Sequence, residues 1–124
     1  MSAAIETDNL TKLYGDHRAI SNINLEVREG EVFGYLGPNG AGKTTTIRTL
    51  LDFIRPTSGS ASIFGLDTRA KSREIKRRVA YLPGDIMLYE KLTGWEALTY
   101  TANLRGGVDW GFVEELAKRL ECDL

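Results

Sequence analysis

Between Gly37 and Thr45 the chain reads Gly-Pro-Asn-Gly-Ala-Gly-Lys-Thr-Thr, and this run carries the clearest chemistry in the sequence. It satisfies Gly-x-x-x-x-Gly-Lys-Ser/Thr, the spacing of a phosphate-binding loop. Gly37, Gly40 and Gly42 allow the backbone to curl, so that N–H groups from Gly37 through Asn39, Gly40, Ala41 and Gly42 can converge on one anion. Lys43 adds a point charge for the outer phosphates and is the first candidate for a catalytic group. The Thr44 hydroxyl is a hard oxygen suited to Mg²⁺, and Thr45 can reach an α-phosphate through its hydroxyl and N–H. These residue types at this spacing predict a nucleoside triphosphate site.

Such a loop works only between a strand and a helix. Glu31 to Leu36 is expected to be a short buried strand, and Thr44 to Leu51 a helix whose first turn lends N–H groups and dipole to the anion. Upstream, Ile5–Leu13 and Ala19–Val27 read as two antiparallel strands joined by a turn at Tyr14-Gly15-Asp16-His17, with a second turn at Arg28-Glu29-Gly30-Glu31. Downstream, Pro56-Thr57-Ser58-Gly59 is expected to turn into a strand at Ser60–Phe64, closed by Gly65. Lys71–Arg78 is a basic helical stretch, and Val79–Leu82 a further strand that Pro83-Gly84-Asp85 breaks. From Thr93 the apolar spacing lengthens to that of a helix carrying Trp95, Leu98, Ala102 and Leu104, stopped by Gly106-Gly107. A last helix is expected from Trp110 to Leu120.

At 124 residues, 42% hydrophobic and 27% charged, the composition is that of an ordinary globular domain or a piece of a larger one. The formal net charge of −1 gives no general attraction to nucleic acid or an anionic membrane. Lys71, Arg73, Lys76, Arg77 and Arg78 stand beside Glu74 and read as a solvated helix face. Cys122 is the lone cysteine, which rules out an internal disulfide and suits a reducing compartment. No stretch approaches the roughly 20 apolar residues of a membrane span, and the first residues lack the pattern of a secretion signal. The expectation is a soluble, cytoplasmic protein. Trp95 and Trp110 are expected to anchor a core.

With these residues in view, the chain resembles the nucleotide-binding domain of ATP-binding cassette (ABC) transporters. The resemblance rests on the spelling of the Gly37–Thr45 loop, on Leu10-Thr11-Lys12-Leu13-Tyr14-Gly15, on Arg55-Pro56-Thr57-Ser58-Gly59, and on Tyr81-Leu82-Pro83 before Leu88-Tyr89-Glu90-Lys91-Leu92-Thr93. It implies an α/β fold: a P-loop NTPase core with an N-terminal antiparallel β subdomain (about 1–85 together) and the start of a helical subdomain (about 86–124). It implies ATP and Mg²⁺ as cofactors, Tyr14 as the platform for adenine and Ala19 along the ribose edge. Where the family carries a glutamine this chain has Gly84, and Asp85 is the nearest carboxylate to take its place. No Leu-Ser-Gly-Gly-Gln-type signature, no strand ending in Asp-Glu and no switch histidine is present; His17 lies upstream of the loop. The resemblance thus implies the N-terminal portion of such a domain, of low stability and negligible ATP turnover by itself.

The implied function is the ATP-binding subunit of a membrane exporter. It would act with a separate transmembrane subunit and a second ABC domain arranged head to tail, at the inner face of the membrane. A soluble ABC ATPase acting on ribosomes or DNA is the alternative, disfavoured by the near-neutral charge, and a regulatory ATP-binding module is a third. Met87, Leu88 and Tyr89 form an apolar loop segment that fits either contact with the membrane subunit or packing within the domain.

Overall fold

The computed structural model describes residues 3–37, 42–84 and 89–124. It falls into two units, Met1–Ala80 and Tyr81–Leu124. The first is organised by β1 (Ala3–Tyr14), which pairs antiparallel with β2 (His17–Ile23), β3 (Glu26–Arg28) and β4 (Ser58–Ile63). β4 in turn carries β5 (Leu66–Asp67), giving the order β2-β1-β4-β5 with β3 also on β1. The β4–β5 turn is Phe64-Gly65, at φ 52° and 76°, the double left-handed pair that a two-residue hairpin favours.

A β-bulge decides which side chains of β1 face inward. Thr7, an odd position, is buried, and so is Leu10, an even one; Asn9 at φ 48° lies between them and shifts the parity. Opposite it Gly59 sits at φ 80°, where an added Cβ would lie 2.2 Å from the Asn9 carbonyl oxygen, so the bulge demands glycine there. Leu10 then packs with Ile20 of β2 and Ala61 of β4, and Ile23 and Leu50 close over them.

The expected single strand Ala19–Val27 is instead two, because Asn22 takes φ 49° and side chains replace the ladder at the break. Thr7 Oγ1 donates to the Ile23 carbonyl at 2.8 Å and accepts from the Leu25 N–H at 2.8 Å, while Asn24 Oδ1 accepts from the Asn9 N–H at 2.9 Å. Two other expected strands do not form. Glu31–Leu36 and Val79–Leu82 form no strand among the described residues, and Val32 and Leu36 are 100% and 92% exposed. Their sequences suit buried parallel strands, but a strand needs a ladder partner for its backbone groups, and none of the described strands forms a ladder with them.

α1 (Lys43–Leu50) lies where the loop pattern requires it. Its buried face is made of Thr46 and Thr49, whose hydroxyls donate to the carbonyls of Gly42 (2.9 Å) and Thr45 (2.7 Å) one turn earlier. α2 (Ser72–Lys76) buries Ile75 and exposes its basic residues, Lys71 pairing with Glu74 at 3.8 Å, as a solvated face should.

In the second unit, α3 (Gly94–Leu104) begins with a reciprocal cap. The Glu96 N–H donates to Thr93 Oγ1 and the Thr93 N–H to Glu96 Oε1, both at 3.1 Å. It ends where the Gly107 N–H reaches back to the Ala102 carbonyl at 2.8 Å, with Gly106 and Gly107 at positive φ. α4 (Trp110–Arg119) is capped by Asp109, whose Oδ1 accepts from the Phe112 N–H at 3.3 Å. The expected core role of the tryptophans is realised only in part, Trp110 being half-buried. Trp95 is 42% exposed and meets Trp110 edge-to-face at 4.9 Å between centroids, at the surface of the unit. Two short helices have too little area to enclose side chains of that size. No helix among the described residues is long and apolar enough to cross a membrane.

Candidate functional site

The loop's flanks are held from both sides. Gly42 caps α1 at φ 92°, ψ 6°, in the left-handed region. A Cβ there would lie 2.5 Å from Ile20 Cγ2 and 2.7 Å from the Ala19 carbonyl oxygen. Glycine is therefore required twice over, by conformation and by the close approach of β2. The same contact places Ala19, the expected ribose neighbour, directly against the loop–helix junction. Ile20, buried in the core beside Leu10, ties that junction to the sheet.

At the other flank, Lys43 Nζ donates to the Gly37 carbonyl, so the lysine links the residue that follows the loop's last glycine to its first. No side chain caps the N-terminus of α1 and no acidic residue occupies its first turn. Its first N–H groups lack intrahelical acceptors and its dipole favours negative charge, which suits an anion. Thr44 is exposed at this end and Thr45 is half-buried. A hydroxyl and an ammonium beside a helix N-terminus are the donor set expected for a phosphate with a hard divalent cation. Among the described residues no cluster of three or more His, Cys, Asp or Glu side chains is placed to hold a metal ion.

Tyr14 ends β1, opposite His17 across the hairpin, with its ring about half exposed. Lys12 Nζ lies over that ring at 5.1 Å from the centroid. The β1–β2 hairpin thus carries Tyr14 at its tip and Ala19 farther along, where β2 meets Gly42. The structure brings together Ala19, Gly42, Lys43 and Gly37, with Thr44 and Thr45 following on the helix. Asn39, Gly40, Ala41 and Asp85 lie outside the described residues, as do Met87 and Leu88. Gly84 is exposed.

Sequence reasoning missed Tyr35 and Thr46. Tyr35 Oη and Thr46 Oγ1 are 3.2 Å apart, and Thr46 donates to the Gly42 carbonyl, so a short chain of hydroxyls braces the residue that turns the loop into the helix. The available signal was Thr46 four residues after Gly42, the spacing at which a threonine hydroxyl bonds the backbone one turn back. The tyrosine partner had no such signal.

Comparison with known proteins identifies the family. The family described as ABC transporter matches residues 20–123. A bacitracin transport ATP-binding protein of Bacillus licheniformis is 43% identical over 106 residues, covering 86% of this chain and 35% of its own length. A daunorubicin/doxorubicin resistance ATP-binding protein of Streptomyces peucetius is 41% identical over 117 residues, 94% of this chain and 35% of its own. The chain therefore spans about a third of the length of these relatives. Among solved structures, a putative ABC transporter ATP-binding protein from Pyrococcus furiosus aligns at TM-score 0.80 and 25% identity, over 97% of this chain and 58% of that one. An ATP-binding subunit of an ABC transporter aligns at TM-score 0.78 and 30% identity, over 95% and 49%.

Proposed function

The chain belongs to the ABC transporter family, and from that premise we propose that it forms the ATP-binding part of an exporter's energy-supplying subunit. The observation that carries the reading is the Gly42–Lys43 junction: a left-handed glycine pressed on β2, an uncapped helix start, and a lysine folded back to Gly37. On ATP binding the Lys43 ammonium exchanges the Gly37 carbonyl for the outer phosphate oxygens, a stronger, charge-assisted contact. Backbone N–H groups from Gly37 to Gly42, with Asn39, Gly40 and Ala41 between, cradle the phosphates. Thr45 meets the α-phosphate, Ala19 the ribose edge, and Tyr14 stacks on adenine.

Thr44 is the protein's ligand for Mg²⁺, which when bound neutralises charge on the phosphate oxygens. Asp85 is the proposed substitute for the family glutamine absent at Gly84. Relatives named for bacitracin transport and for daunorubicin/doxorubicin resistance support a small-molecule cargo moved outward. The proposed partners are a separate transmembrane subunit and a second ABC domain, with the assembly at the inner face of the membrane. ATP hydrolysis is proposed to need groups outside residues 1–124.

The test is ATP binding and turnover with Mg²⁺ on this chain and on Lys43→Ala. Loss of the lysine contact is expected to weaken ATP at least about tenfold, the worth of one hydrogen bond to a charged group. Neither protein is expected to turn over. Equal affinities would remove Lys43 from the site. Steady hydrolysis that disappears in Lys43→Ala would place the catalytic groups within this chain.

A further inference from the structure

We infer that Lys12 is a positioning residue for the nucleotide base: it holds the Tyr14 ring from one face and leaves the other face for stacking. The inference rests on the proposed role of Tyr14. The β1–β2 register is irregular between Lys12 and Leu13, so it is the contact between the two side chains, rather than strand alternation, that puts Lys12 and Tyr14 together. The Lys12 ammonium lies over the Tyr14 ring, 5.1 Å from its centroid, within the range at which a cation is attracted to an aromatic face.

The lysine is itself pinned, since its Nζ donates to the Arg55 carbonyl at 2.7 Å. That carbonyl is fixed in turn by the segment Arg55–Thr57, which is strapped to β1 by two further bonds. The Thr57 N–H donates to the Thr11 carbonyl at 2.8 Å, and the Leu13 N–H to Thr57 Oγ1 at 2.9 Å. A ring at the exposed tip of a hairpin would otherwise rotate freely and lose that freedom on binding the base. Holding it beforehand removes part of the ordering cost from the binding event. An ammonium on one face also restricts a flat ligand to the opposite face, which fixes the side from which adenine approaches.

The experiment is calorimetric titration with ATP and with inorganic tripolyphosphate, Mg²⁺ present, of this chain, Lys12→Met, Lys12→Arg, Tyr14→Ala and the Lys12→Met/Tyr14→Ala double variant. Lys12→Met keeps the length of the stem and removes the charge. It is expected to weaken ATP about 2–5-fold, the worth of an exposed cation–π contact, and to leave tripolyphosphate unchanged. Unchanged tripolyphosphate binding also reports that the variant is folded. Lys12→Arg, still a cation and a donor, is expected to restore ATP binding, and in the Tyr14→Ala background Lys12→Met should add nothing.

Equal weakening toward both ligands, failure of arginine to rescue, or additive effects in the double variant would overturn the inference. So would unchanged ATP affinity in Lys12→Met when Tyr14→Ala is weakened, and that result would leave the adenine platform standing. Unchanged ATP affinity in Tyr14→Ala would remove the platform and the role of Lys12 together.

Discussion

In the sheet-bearing unit, Leu10, Ile20, Ala61, Ile63 and Ile75 are all buried, whereas in the helical unit Ala102 alone is buried among the described residues. Phe112, Leu104 and Leu120 of the helical unit instead remain more than half exposed. The two units are therefore specified differently. The sheet unit is fixed by long-range pairing around β1 and a core that α1 closes through Leu50. The helical unit is fixed end by end, through Thr93–Glu96, Gly106–Gly107 and Asp109. Gly42 and Lys43 sit on the unit with the core, and the close approach of Gly42 to Ala19 and Ile20 depends on that rigidity. A phosphate cradle must hold its N–H groups to a fraction of an ångström, and tertiary packing achieves this where local caps cannot.

The sharpest way to break this contrast is to truncate one leucine in each unit. Leu10→Ala removes a fully buried side chain at the centre of β1 and is expected to cost about 2–5 kcal/mol, the range for such truncations in packed cores. Leu104→Ala removes a side chain that is 71% exposed and should stay within about 0.5 kcal/mol. Urea unfolding followed by circular dichroism measures both. Equal losses would mean that the helical unit hides a core that its exposed leucines do not suggest.

The next largest effect belongs to the helical unit. Thr93→Ala removes the acceptor for the Glu96 N–H and breaks the reciprocal cap of α3. The expected cost is about 1 kcal/mol. Amide hydrogen exchange should show faster exchange at the start of α3 and unchanged protection in β1 and β4. Loss of protection spreading into the sheet would show that the stability of the two units is coupled.

The same contrast explains what the sequence made legible. Local signals were readable: Gly42 and Lys43 at the start of α1, the helix that begins near Thr93, and the Gly106-Gly107 stop. Features that depend on distant partners were not. Glu31–Leu36 and Val79–Leu82 have strand composition, but pairing is a property of neighbours, and the described strands provide none. The break after Ile23 required Asn24 to reach Asn9 and Thr7 to serve both Ile23 and Leu25, contacts across more than ten residues. β5 is two residues long and gives no periodic signal. The role of Ile20 against Gly42 was hidden because an isoleucine in a strand reads only as core.

The smallest effect tests how far the rigid frame reaches into the site. Tyr35→Phe deletes the hydroxyl that meets Thr46 Oγ1 at 3.2 Å, but Thr46 keeps its bond to the Gly42 carbonyl. Only one end of the hydroxyl chain is lost, and the half-buried position lets water replace it. Stability should fall by about 0.5–1 kcal/mol, the low side of a single neutral hydrogen bond. ATP affinity should change by less than about threefold, because Gly42 is already held by the close approach of Ala19 and Ile20 and by the start of α1. The informative quantity is the ratio of the two effects in the same titration and unfolding series. A tenfold loss of ATP binding with little loss of stability would show that β2 packing does not fix the junction by itself. The Tyr35–Thr46 pair would then be a necessary part of the phosphate cradle.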